Sequence, residues 1–168
     1  GLGKLPVYQD EQFRYLTEKL NGYITGAYIY NKMGLTEQVA TTITIATPNP
    51  VRRFRFKNLD IECVKAYCMV YPDESLVPYL RLLDAIKDMK RIPGTTGQDI
   101  YNRVKSQYFN GYSLPELEKI VSLAKSYPPR VRKVVADILG DIRQTVLQTE
   151  MAKTILPTTR FNLDYKTA

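Results

Sequence analysis

The chain contains no histidine, no tryptophan and only two cysteines in 168 residues. Without histidine it lacks the side chain that most often serves as general base and as metal ligand near neutral pH. Cys63 and Cys68 cannot make a zinc site by themselves, because a structural zinc takes four ligands, mostly from Cys and His. Their segment reads as helix, where a spacing of five turns them onto different faces. They are therefore expected to be buried thiols in a reducing compartment, either intracellular or inside a virion. No apolar run approaches the roughly 18 residues needed to cross a bilayer, and no secretory signal is visible, so no membrane partner is expected. The chain starts at Gly1 rather than Met, which reads as a processed terminus or the boundary of a fragment. Together these absences point to a non-enzymatic protein with no metal and no cofactor.

What is present is the composition of a folded protein: 44% hydrophobic and 24% charged residues. The length suits a single domain, 1–168, able to bury a core without disulfide or metal staples. The patterning predicts a mainly α fold, a helical bundle of five to seven helices with one small β-hairpin. Extended arms are expected at 1–9 and 154–168, flanking a core at 10–153.

Asp10 can cap a helix whose buried face carries Phe13, Leu16 and Leu20, with Asn21-Gly22 as its stop. Residues 23–30 suit strand and helix alike, and the reading leans to a short helix ending near Gly34. Residues 39–57 alternate, with Val39, Thr41, Ile43 and Ile45 in one run and Phe54 and Phe56 in the other. Thr47-Pro48-Asn49-Pro50 lies between, so the pair reads as a hairpin, and Pro50 implies that its strand lies at an edge or starts after it. Asp60 can cap a helix through Tyr71 that buries Ile61, Val64 and Cys68 and ends at Pro72. Ser75 is the expected cap of the next helix. Thr96 with Asp99, and Ser113 with Glu116, form capping pairs for two more. Val131, Val134, Val135, Ile138, Leu139, Ile142 and Val146 form one apolar stripe on a long last helix.

The net charge of +7 favours a polyanionic partner, and its distribution is uneven. No acid occurs between Glu37 and Asp60, yet Arg52, Arg53, Arg55 and Lys57 do. Cations about 7 Å apart along one strand face match repeated phosphate contacts; a charged edge strand guarded against aggregation is the plainer reading. A second acid-free stretch, between Glu118 and Asp137, holds Lys125, Arg130, Arg132 and Lys133. Cations at a helix start oppose the dipole, and a bound anion would reverse that cost; ordinary solvated or ion-paired side chains are the alternative.

Gly94-Thr-Thr-Gly97 resembles the G-x-x-G loop of KH domains in spacing alone. It has Thr95 and Thr96 where that loop usually carries a cation, and helices follow instead of strands, so turn chemistry between helices accounts for it. The 13 tyrosines suit interfaces and base stacking equally. Phe161, Leu163 and Tyr165 give the C-terminal arm apolar anchors that could pack at home or on a neighbouring subunit. The function these features favour is nucleic-acid coating in the manner of a coat or nucleocapsid protein, RNA or DNA, with backbone contacts from the eight named cations. Homo-oligomer contacts would come from the terminal arms. A structural or adaptor subunit of a protein complex is the alternative.

Overall fold

A computed structural model describes residues 7–49, 52–68, 73–161 and 165. The expected arm lies outside the described residues at 1–6, as do the expectations for Pro50, Tyr71, Pro72 and Leu163, whereas 7–9 are helical and Asp10 lies inside that helix instead of capping it. The chain separates into two compact units, 1–81 and 82–168.

The first unit carries helices α1 (Val7–Leu20) and α2 (Ala27–Lys32), strands β1 (Tyr23–Thr25), β2 (Thr42–Thr47), β3 (Arg53–Phe56) and β4 (Leu59–Lys65), and the start of α3 (Val77–Lys87). The strands form one sheet in the order β1-β2-β4-β3, with β2 and β4 parallel and the other pairs antiparallel. This overturns the mainly α bundle with one hairpin: the described chain is 53% helix and 14% strand, with seven α-helices and a four-stranded mixed sheet. The segment expected to be a helix from Asp60 is instead an inner strand. Ile61 and Val64 fit a helical spacing, but Leu59, Ile61 and Cys63 fit strand alternation equally well, and seven residues are too few for periodicity to decide. Pairing decides it. Ile43 lies opposite Ile61 and Ile45 opposite Cys63, and all four are buried.

The expected 39–57 hairpin is also corrected. Its two runs are strands, but β4 lies between them, and the hairpin is β3–β4. Its two-residue turn is Lys57-Asn58, with Lys57 at φ 54°. A tight local turn closes at less entropic cost than a longer link, so β3 pairs with the strand that follows it. Val39 lies outside the sheet and is exposed.

α1 buries Phe13, Leu16 and Leu20 as its spacing predicts. It ends in a left-handed Asn21 (φ 51°), with Gly22 N–H donating to Thr17 O at 2.9 Å. Buried Thr47 Oγ1 donates to Leu20 O at 2.6 Å, tying the end of α1 to β2. A Cβ at Gly22 would lie 2.1 Å from Ala46 O, so only glycine permits that approach.

The second unit is helical: the rest of α3, then α4 (Gly97–Gln107), α5 (Leu114–Ala124), α6 (Pro129–Asp141) and α7 (Thr145–Ala152). Thr96 caps α4 by accepting from Asp99 N at 3.1 Å, and Ser113 with Glu116 forms the capping box of α5. In the first unit Asp73, not Ser75, is the cap before α3, accepting from Ser75 N at 3.1 Å, and a 3-10 turn (Glu74–Leu76) leads into α3. The expected long last helix is two. α6 stops in a left-handed Arg143 (φ 64°), with Arg143 N–H on Gly140 O and Gln144 N–H on Leu139 O. That paired closure ends a helix, and it leaves Val146 on α7 exposed instead of in the stripe.

Candidate nucleic-acid interface

The two acid-free basic stretches meet different fates. On β3, Arg53 and Arg55 point to one face while Phe54 and Phe56 are half-buried on the other. The missing acids come from the neighbouring strand. Arg53 faces Glu62 and Arg55 faces Asp60 in register, with N–O distances of 3.4 and 3.5 Å. Both arginine side chains stay open to solvent, 77% and 68% exposed, so each pair contributes about 0–1 kcal/mol. Arg52 lies over the Phe54 ring, 4.9 Å from its centroid, and Lys57 Nζ lies 5.7 Å from that of Phe56. The structure thus brings Arg52, Arg53, Arg55 and Lys57 together along one edge strand and its turn.

Arg52 also borders Cys63. The Arg52 carbonyl accepts from Cys63 N at 2.8 Å. Burial pushes the Cys63 thiol above its ordinary pKa, partly offset by the Arg52 guanidinium. Cys63 sits on β4, not on the expected helix, and neither it nor half-buried Cys68 is part of a disulfide.

In the second unit the cations do structural work. Arg130 donates to Lys87 O at 2.7 Å, capping the end of α3. Arg132 donates to Tyr127 O at 3.0 Å and to Thr154 O. Lys133 pairs with Asp137 at 3.0 Å and Lys125 with Glu150 at 3.1 Å. The α6 start has no side-chain cap of its own, yet its arginines turn to carbonyls elsewhere.

Three tyrosine–aspartate pairs hold the same unit, and no sequence spacing announced them. Tyr127 OH donates to buried Asp84 at 2.7 Å, Tyr165 OH to buried Asp137 at 2.7 Å and Tyr101 OH to Asp141 at 2.6 Å. Burial, then the Asp141 hydrogen bond and charge, push the Tyr101 hydroxyl far above its ordinary pKa. Tyr165 packs on Tyr101 with ring centroids 5.2 Å apart. The tail residue expected to reach a neighbour is therefore buried in its own unit.

Among the described residues no group of three or more Cys, Asp or Glu could hold a metal ion, and no helix is long and apolar enough to cross a membrane. Comparison with protein families, curated proteins and solved structures finds no match to the chain.

Proposed function

We propose that the sheet unit binds the phosphate backbone of nucleic acid through β3 and the turn after it, as a binding protein and not as an enzyme. One observation carries this reading: Arg53 and Arg55 stand exposed on one face of an edge strand, flanked by Arg52 and Lys57. Residues 52–62 hold four cations against two carboxylates, a net charge of +2. The solvent-exposed pairs with Asp60 and Glu62 cost little to exchange, and a guanidinium fork fits a phosphate as well as a carboxylate. The cations around α6 stand outside this reading, because carbonyls and carboxylates already engage them. A subunit contact through the tail gains no support from Tyr165, which is bound within its own unit.

Backbone contacts carry no sequence preference. Arg53→Ala with Arg55→Ala should weaken binding to unrelated oligonucleotides about equally. The slope of log K against log salt should fall by roughly 0.7–0.9 per lost contact. A titration of single-stranded and duplex oligonucleotides between about 50 and 200 mM salt measures both. Absence of binding by the intact protein at the lower salt overturns the reading and leaves an adaptor that faces protein surfaces.

A further inference from the structure

Beside the same hairpin lies a cavity of about 380 Å³, lined by Glu11, Gln12, Tyr15, Phe56 and Lys57. That volume falls within the roughly 300–1,000 Å³ of ordinary small-molecule sites. Its aromatic wall is made by Tyr15 and Phe56, stacked with centroids 5.4 Å apart and 17° between their planes. Tyr15 is nevertheless 50% exposed. Two cations flank the pair: Lys19 Nζ lies 5.6 Å from the Tyr15 centroid, and Lys57 Nζ lies 5.7 Å from that of Phe56.

The polar wall is Gln12. Its side chain is buried, the residue being 5% exposed, and its Nε2 has no hydrogen-bond partner among the described residues. A buried amide donor without an acceptor opposes folding; Gln12 lines the cavity, and turning its side chain outward would bring the closed-off Nε2 to an acceptor there. Lys57 adds a second local cost on the same rim. It holds φ 54° in a turn where glycine would avoid the strain, and what it supplies there, and glycine would not, is a cation.

We propose that this cavity takes the base of an unpaired nucleotide. The flat ring stacks on the Tyr15–Phe56 pair, and a ring nitrogen or carbonyl accepts from Gln12 Nε2 once that side chain turns toward the cavity. Lys57, at the turn, meets the phosphate of the same nucleotide, and the nucleic-acid chain rounds the edge of β3 to reach Arg55 and Arg53 on the face opposite Phe56. This deepens the phosphate-backbone reading and rests on it: β3 carries the strand, and the cavity selects single strands over duplexes, whose bases are paired and stacked.

The test uses the absence of tryptophan from the chain. Tyr15→Trp places one fluorophore in the aromatic wall and keeps a stacking face. A single-stranded oligonucleotide is expected to quench it saturably, whereas an abasic oligonucleotide of equal charge leaves it unchanged. Tyr15→Leu should lower single-strand affinity about 5- to 150-fold without altering the salt slope or duplex affinity. Gln12→Leu should weaken single-strand binding and at the same time raise Tm, because it removes the orphaned donor; a purely structural glutamine would lower Tm. Oligonucleotide binding with no quench and no loss in Tyr15→Leu overturns the cavity proposal and leaves the phosphate reading standing. Saturable quenching by adenosine 5′-monophosphate without oligonucleotide binding upholds the cavity and overturns the phosphate reading. Silence toward both probes overturns both.

Discussion

Arg53 and Arg132 are the same residue type, each in a long stretch without acids, and the two units use them in opposite ways. In the helical unit Arg132 reaches back to Tyr127 O and across to Thr154 O, two carbonyls at chain breaks that no helix satisfies. In the sheet unit Arg53 stays in solvent, with one half-buried carboxylate at 3.4 Å. Helix ends leave carbonyls without partners, and a nearby arginine is drawn to them. On β3 the ladder with β4 satisfies one edge and the other is open to water, so no buried carbonyl draws in its outward side chains. A run of cations is therefore a candidate binding surface only where the local backbone does not already consume its donors.

The sharpest way to break this comparison is Arg132→Ala. It strands two carbonyls, and unfolding in urea should show a loss of about 2–3 kcal/mol. This reverses the helix-dipole expectation, by which removing a cation from the α6 start would stabilise the protein. An unchanged urea midpoint would mean that Arg132 is as free as Arg53.

The left-handed positions give a smaller effect. Arg143 ends α6 where glycine is the usual choice, and Gly34 fills the matching place after α2. Arg143→Gly should raise stability by about 1 kcal/mol. Lys57→Gly should stabilise by a similar amount while weakening nucleotide binding, so that stability and binding separate at Lys57 and not at Arg143.

The smallest effect belongs to β3. Arg53→Ala and Arg55→Ala should each change stability by no more than about 0.5 kcal/mol, read from the same urea curves. A larger loss from Arg53→Ala would make the arginine a structural residue of the hairpin and remove the contrast with Arg132.

Much local structure was legible in the residues. The buried face of α1, the Thr96 cap, the Ser113–Glu116 box and the stripe from Val131 to Leu139 were all readable, because capping and helical periodicity depend on neighbours within one or two turns. The alternation of Arg53 and Arg55 with Phe54 and Phe56 was readable for the same reason. Two breaks were not. Nothing near Arg143 signals a helix end, since the residue lacks the glycine signature of that position. Asp60 looked like a helix cap, and its part as cross-strand partner of Arg55 required knowing that β4 lies beside β3.

The sequence by itself determined which residues are amphipathic, where α4 and α5 begin, and that the cations gather in two acid-free runs, because each of these is a property of neighbours along the chain. Only the tertiary structure decided that β4 inserts between β2 and β3. It also decided that Asp60 and Glu62 neutralise part of the first run, that carbonyls at Lys87, Tyr127 and Thr154 engage Arg130 and Arg132 of the second, and that Gln12 is buried beside Tyr15 and Phe56 with no acceptor for Nε2 among the described residues. The physical reason is common to all of them: strand order and the partner of a long side chain are set by groups far away in the chain, and no local period encodes which of those groups will arrive.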